Sequence, residues 1–480
     1  MRAYLYPITL AALLGLLYSL TLAPGITWAS QGADSGGLVS AAYTGGAAHP
    51  PGYPLYLGLA RLAQQVLPGE IAMRTNLLSA FFAILAALML YKLLRRFIVP
   101  APLAALASLS LGLAPAFWAQ AIITEVYTLQ LFLSAIIFLQ MFSEMKPTVS
   151  DLFRGLVFGL ALSNHATTLF LAPVLLFNAT PKESLAQPEP HHVLRIFSRI
   201  GVAIATALVL YATLLLRGAS AAPVNWGKVT SLSRLWWLVS GGPYRDYLTA
   251  SSDLGEKLPM LLSELAGFGL PLLLLASLAL IFLPGLQTLK RLTLVTISLY
   301  LVFGLSYNTR DWFVTLLPVY LLISLWLGLG LARLPDLLRC PQFLCPLRIG
   351  LAVLVGLHLA WNVAHAWPQV DASRDNRAVD FANMILTEVP PGSLIFTTED
   401  RDTFALWYYH YVLGQRPDVA ILPTGLLEYD WQRENLRLAY PQLVIPEQTE
   451  SNFRQAIITA NPDRPVCAVF IDPQTAFMCR

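Results

Sequence analysis

Asp34 stands in the run Gly32-Ala33-Asp34-Ser35-Gly36-Gly37, where small neighbours leave its carboxylate open to close approach. Residues 37–44 read as a helical piece, so Asp34 lies near a helix N-terminus. The dipole there keeps a carboxylate ionised and able to accept a proton. The same placement describes an N-cap aspartate in a structural turn, and spacing alone favours the cap. His49 follows in Ala48-His49-Pro50-Pro51-Gly52-Tyr53-Pro54, either as a site group with Tyr53 or as packing before a proline-fixed turn.

Glu125 and Tyr127 come just after Trp118 and Gln120, with no Lys or Arg nearby in sequence. An ionisable group at a membrane edge is a functional candidate; the alternative is an exposed loop acid. Asn164 and His165 interrupt an apolar stretch, where they either line a cavity or satisfy freed backbone groups. Trp226, Lys228, Arg234, Trp236, Trp237, Tyr244, Arg245 and Tyr247 share one later loop. Aromatic rings with cations suit sugar and phosphate. They equally suit a helix lying on a bilayer. Arg310 either pairs with Asp311 or faces a substrate anion. There is no P-loop, dinucleotide glycine pattern, metal-binding His pair or nucleophile elbow. That argues against an ATP-driven pump and a serine hydrolase. No cofactor is firmly implied, and a divalent metal is compatible but unsupported.

The elements that must position these groups are membrane helices. The 480 residues are 56% hydrophobic and 12% charged, against about a quarter charged in soluble domains. So little charge cannot coat a soluble particle of this size. A net charge of +3 without basic clusters gives no reason to expect a nucleic-acid partner. Apolar runs of membrane-spanning length fall near 4–22, 76–94, 102–119, 127–143, 198–216, 259–283, 292–307, 313–333 and 348–366. The first reads as a retained helix rather than a cleaved signal peptide.

Lys92, Arg95, Arg96, Lys146, Arg154, Lys182, Arg195, Arg199, Lys290, Arg291, Arg333, Arg339 and Arg348 mark the cytoplasmic loops. The loop at 23–76, which holds Asp34 and His49, then lies outside. An ordinary crossing at 155–177 would invert every later loop. We therefore expect two short half-helices that dip in and return, meeting at Ser163-Asn164-His165.

Beyond residue 367 the composition changes: lysine is absent and strand-like runs alternate with helical ones. The expected division is a transmembrane module at 1–367 and a small extracytoplasmic α/β domain at 368–480. Cys467 and Cys479 either pair there or remain thiols.

These residues also carry a resemblance. The block His49-Pro50-Pro51-Gly52-Tyr53-Pro54-Leu55-Tyr56 resembles the signature of a bacterial multi-pass membrane family related to a eukaryotic transmembrane protein O-mannosyltransferase. Arg74-Thr75-Asn76, Thr124-Glu125-Val126-Tyr127, Ser163-Asn164-His165, Asn225-Trp226-Gly227, Arg401-Asp402 and Arg416-Pro417-Asp418 resemble further landmarks. The resemblance implies a mainly α, polytopic helix bundle of the C-type glycosyltransferase (GT-C) class in the bacterial inner (plasma) membrane. It implies a polyprenyl-phosphate-linked sugar donor, membrane lipid, an unknown hydroxyl acceptor and inversion at the sugar carbon. Asp34 takes the place of the family's base. Glu125 matches a second acidic position that helps bind acceptor or donor. His49, Tyr53, Arg74, Tyr127, Asn164, His165 and Trp226 are the implied binding residues, and Lys228, Arg245 and Arg310 the candidate phosphate partners. One departure stands out: many relatives carry a second acid where this chain has Gly37. The rival readings are a transporter or flippase of lipid-linked precursors and a non-catalytic envelope assembly protein.

Overall fold

The computed structural model describes residues 2–142, 145–177, 192–248, 254–282, 285–337, 344–448, 452–471 and 477–479. Arg339 and Lys182, read above as cytoplasmic markers, lie outside these residues. Helix α1 (Arg2–Thr21) leads into α2 (Asp34–Thr44) and α3 (Pro54–Val66). Next come α4 (Ile71–Arg96), α5 (Ala101–Gly112), α6 (Pro115–Ala121) and α7 (Tyr127–Gln140). Then follow α8 (Pro147–Asn164), α9 (Ala172–Leu176), α10 (His192–Gly218) and α11 (Leu232–Val239). The bundle is completed by α12 (Leu254–Ala266), α13 (Leu270–Phe282), α14 (Gln287–Ser306), α15 (Leu317–Leu337) and α16 (Leu344–Val370). Among the described residues six helices are long and apolar enough to cross a membrane, or up to 8 if each of two bent pairs is one span. The expected mainly helical, multi-pass architecture is borne out.

Two expected spans are not straight. Residues 102–119 form α5 and α6, bent by 72°. Pro115 begins α6, lacks an amide proton and cannot continue the preceding helix. The expected span from residue 259 falls on α12 and α13, bent by 83° about a break that holds Gly269, whose φ of +78° is left-handed.

The segment that should dip and return does so, with unequal arms. The first arm is the full 18-residue α8 rather than a half-helix from residue 155. Pro147 occupies its first turn, where the missing amide proton costs nothing. The helix breaks at His165, and a 3-10 turn at 166–171 and α9 carry the chain back. Arg154 then donates to the carbonyls of Val174, Leu175 and Phe177 at 2.7, 3.2 and 2.5 Å. Arg154 lies ten residues before Asn164, about 15 Å along the helix. The chain has therefore returned toward the end from which α8 started. Arg195 and Arg199 of α10 clasp Asp151 of α8 at 2.7 and 2.6 Å at that same end. Gly155 and Gly159 let α10 close on α8: a Cβ there would stand 2.6 and 2.5 Å from the carbonyl oxygens of Arg199 and Ala203. Counting uninterrupted apolar residues missed the first arm because its ionic groups are paired inside the bundle.

After α16 come α17 (Arg377–Glu388), β1 (Leu394–Thr397), α18 (Asp400–Trp407) and β2 (Ala420–Pro423). These are followed by α19 (Asp430–Ala439), α20 (Phe453–Ala460), β3 (Val466–Val469) and β4 (Phe477–Cys479). The sheet order is β2-β1-β3-β4, parallel except for the last pair. Its three parallel strands are buried throughout, as expected for a sheet covered on both faces. A Cys467–Cys479 disulfide ties β3 to β4. Asp375 anchors this segment on the bundle, accepting from Thr27 Oγ1, the Trp28 amide and the Ala29 amide at 2.5, 3.0 and 2.7 Å.

Candidate functional site

Asp34 opens α2, and Gly45, left-handed with φ +81°, closes it. The N-cap of this helix is Ala33, and no side-chain hydrogen bond caps it. Asp34 is therefore not spent as a cap, and the helix begins at it rather than at residue 37. His49 lies on the following loop, its Nε2 at 3.5 Å from Asp34 Oδ2 and 3.2 Å from the Tyr53 hydroxyl. Tyr53 precedes α3 with φ +44°, and Pro54 fixes the first helical turn. The left-handed backbone at Tyr53 sends the chain sharply into α3 beside His49.

The loop bearing His49 is held from the far side of the chain. Asn225 Oδ1 accepts from the Ala47 amide at 3.3 Å, and the Trp226 amide donates to the Ala47 carbonyl at 3.1 Å. Gly46 touches the Val224 backbone so closely that a Cβ would stand 2.0 Å from its carbonyl oxygen. The Trp226 ring lies 6.2 Å from the His49 ring, edge-on. Tyr244 closes on His49 at 6.4 Å.

Glu125 sits at the junction of α6 and α7, 5% exposed, its backbone locked to Ser79. Asn164 ties the re-entrant tip to the same junction, donating to the Val126 carbonyl at 3.1 Å. His165 Nδ1 meets Thr167 Oγ1 at 2.8 Å. The His165 ring lies 5.5 Å from that of Tyr127 and 6.1 Å from that of Tyr53. One aromatic chain thus links the re-entrant tip to Asp34.

The structure therefore brings together Asp34, His49, Tyr53, Glu125, Tyr127, Asn164, His165 and Trp226. Of the four expected cations, Arg74 and Lys228 are engaged elsewhere, and Arg245 and Arg310 are exposed. Arg74 donates to the Gly69 carbonyl at 2.9 Å and to that of Gln64, tying the α3–α4 loop. Lys228 neighbours Glu434 and Arg234, at the seam where Arg234 pairs with Glu434 at 2.7 Å and Asp430 at 2.8 Å. Arg245 is exposed and bonds Ser240 at 2.6 Å. Arg310 is exposed, and among the described residues no ion pair joins it to Asp311.

Two acidic neighbours, Asp311 and Asp400, complete the electrostatics. Burial raises the Asp34 carboxyl above its ordinary range, and the charge of Asp311 adds to the rise. A third of the Asp34 side chain, 33%, still meets solvent, so screening works against the burial contribution. His49 is pushed down to about 4 by burial, with Asp400 and Asp311 opposing, and is neutral at pH 7. A neutral His49 that carries its proton on Nε2 has one donor there, to turn either to the Tyr53 hydroxyl at 3.2 Å or to Asp34 at 3.5 Å. Asp400, at the start of α18, is driven upward by the protein around it and by the Asp34 charge, while His49 works the other way. Asp400 itself is exposed, so water screens that effect. Asp311 had been read only as a partner for Arg310. Asp400 carried no local signal, since it sits in the acidic stretch Glu399-Asp400-Arg401-Asp402, which a helix cap explains. Among the described residues no three of His, Cys, Asp and Glu are arranged to hold a metal ion.

Comparison with known proteins places this geometry. The family model for the protein O-mannosyl-transferase TMEM260 N-terminal domain matches residues 34–185. TMEM260-associated domain 2 matches residues 378–455. Asp34 and Asp400 fall in these two stretches respectively. The chain is similar to protein O-mannosyl-transferase TMEM260 of Mus musculus, 25% identical over 445 residues, covering 86% of this chain and 62% of that protein. Its similarity to the Dictyostelium discoideum tmem260 protein is 21% over 480 residues, covering 87% of this chain and 56% of that one. The chain thus spans less than two thirds of the length of these curated relatives. Among solved structures, ArnT from Cupriavidus metallidurans bound to undecaprenyl phosphate superposes with a TM-score of 0.59 at 12% identity, covering 97% of this chain and 93% of ArnT. Apo ArnT gives 0.61 at 12% identity, with 98% and 94% coverage. The resemblance read from the sequence is borne out by matched domains, relatives and fold alike: the chain is similar to protein O-mannosyl-transferases of the TMEM260 kind and has an ArnT-like fold.

Proposed function

We propose that this protein is an inverting membrane glycosyltransferase that moves a sugar from a polyprenyl-phosphate donor to a hydroxyl acceptor on the extracytoplasmic face of the plasma membrane. The observation that carries the reading is Asp34: uncapping, raised by burial, and faced by a neutral His49 at 3.5 Å on an ArnT-like scaffold. ArnT in that comparison holds undecaprenyl phosphate, which supports a lipid phosphate as the donor's carrier. The names of the curated relatives support mannose as the first sugar to test.

In this mechanism Asp34 accepts the acceptor's hydroxyl proton as that oxygen attacks the anomeric carbon. The bond from that carbon to the phosphate oxygen breaks, and polyprenyl phosphate leaves with the electron pair. The His49 Nε2 proton holds Asp34 in orientation, and near-attack placement supplies most of the acceleration. Arg245 and Arg310 receive the leaving phosphate. Their loops are already joined, since the Asn308 amide donates to the Tyr247 carbonyl at 2.9 Å and Leu248 bridges to Tyr307. The face is supported by charge: α4 carries Asn76, bonded to Thr124 beside Glu125, near its start, and Arg95 and Arg96 at the opposite end. We further propose residues 1–367 as the transmembrane module and 368–480 as the extracytoplasmic domain.

The test is transfer of labelled mannose from synthetic polyprenyl-phosphate mannose by purified protein in nanodiscs. Asp34→Asn should abolish turnover while leaving polyprenyl-phosphate binding intact. Full transfer by Asp34→Asn would remove Asp34 as the base.

A further inference from the structure

The chain lacks an acid at Gly37, and the structure gives a steric reason. Helix α18 crosses α2 there. A Cβ on Gly36 would stand 2.4 Å from the Phe404 carbonyl oxygen, and one on Gly37 would stand 3.2 Å from the Phe404 ring. A Cβ at position 36 requires the two backbones to part, and one at position 37 requires the Phe404 ring to give way. Phe404 fills the space that an acid at position 37 would occupy.

The helix that fills this space also brings a carboxylate. Asp400 lies four residues before Phe404, about one turn toward the start of α18. Asp34 likewise lies in the first turn of α2. Each helix thus carries an aspartate in its first turn, one turn before the residues at which the two helices cross, and the charge of Asp34 reaches Asp400. The neighbouring acids of α18 have structural work. Glu399 and Asp402 form a capping box, and Asp402 accepts from the Glu399 amide at 3.0 Å. Glu399 also pairs with Arg401 at 3.0 Å. Asp400 takes no part in the cap and makes no hydrogen bond among the described residues. It is exposed, its charge bears on His49 and Tyr244, and the charge of Asp34 bears on it.

We infer that Asp400 is the second carboxylate of the site, supplied by the C-terminal segment to bind the acceptor beside Asp34. This rests on the transferase reading above. Asp34 takes the proton from the attacking hydroxyl, and Asp400 accepts a hydrogen bond from a second donor on the acceptor. The acceptor class is therefore a hydroxyl compound with a neighbouring N–H or O–H. The C-terminal segment is part of the acceptor site rather than an appendage.

The experiment is steady-state transfer by the full-length chain in nanodiscs with wild type, Asp400→Asn and Asp400→Glu, varying donor and acceptor separately. Melting temperature and undecaprenyl-phosphate binding are measured on the same samples. Asp400→Asn should raise the acceptor KM by about 10- to 100-fold, the worth of one charged hydrogen bond. Donor KM, undecaprenyl-phosphate binding and melting temperature should stay at wild-type values, and Asp400→Glu should recover part of the loss. Wild-type acceptor KM in Asp400→Asn overturns the inference. So does an equal rise in both KM values together with a lowered melting temperature, which marks a structural role. If the wild-type chain transfers no sugar from any polyprenyl-phosphate donor, the transferase reading fails first and this inference falls with it.

Discussion

Replacing Gly36 by alanine tests whether the site depends on how closely two helices approach. The added Cβ would meet the Phe404 carbonyl oxygen at 2.4 Å and the carbonyl carbon at 2.7 Å, both backbone atoms that cannot swing aside. Ordinary contact begins at 3.4 Å, so α2 and α18 must part by about 1 Å. Overpacking of this kind costs about 1–3 kcal/mol. Removing a glycine from a helix returns roughly 0.5–1 kcal/mol. The net loss of stability is therefore small. The effect on turnover should be large, because a displacement of about 1 Å at a reacting group lowers rate by about 100-fold. Gly58, in α3, is the control: nothing lies within 4 Å of its added Cβ, so Gly58→Ala should be neutral or slightly stabilising. The assay is kcat/KM for sugar transfer beside a melting curve in the same detergent. Wild-type turnover in Gly36→Ala would refute the argument that the helix crossing sets the site. A collapse of the melting temperature would refute the claim that its effect is local.

Three further outcomes follow from the same geometry. Because Asp34 must be unprotonated to act, and its pKa is raised, activity should fall with decreasing pH well above the ordinary carboxylate value of 3.8; an acid limb near that value in the pH–rate profile would contradict this. Breaking the clasp on Arg199, which is 0% exposed, by Asp151→Asn should lower stability by about 3–5 kcal/mol, read by thermal or denaturant unfolding. Single cysteines at Thr148 and Val193, both exposed, should react with an impermeant reagent from the same side of sealed vesicles; labelling from opposite sides would sink the re-entrant reading.

Much of this architecture was readable from charge placement. Keeping the basic loops on one side required a dip at Asn164 and His165, and Arg154 closes that dip on the carbonyls of 174–177. The length of α8 was hidden because Asp151 and Arg154 read as polar loop residues when counted singly. They are helical and buried because each is paired. The bends at Pro115 and Gly269 had their usual local signals but sat inside runs apolar enough to pass as straight spans. Within the site, Asp34, His49 and Tyr53 lie in one stretch running from the start of α2 to the start of α3, so a local motif could carry them. Asp400 and Asp311 reach the same place only through tertiary folding, and no window of sequence contains that information.

The contact between Gly46 and Val224, and that between Gly36 and Phe404, also set an order of events during synthesis. While the ribosome is still working on the transmembrane helices, α2 has no partner for its glycine face and His49 no wall behind it. Asn225 and Trp226 arrive nearly two hundred residues later, and Phe404 later still. The chemistry is thus withheld from the nascent chain. A product that stops before α18 keeps Asp34 but lacks the helix that packs over it, so the proposed site is complete only once Phe404 has been added.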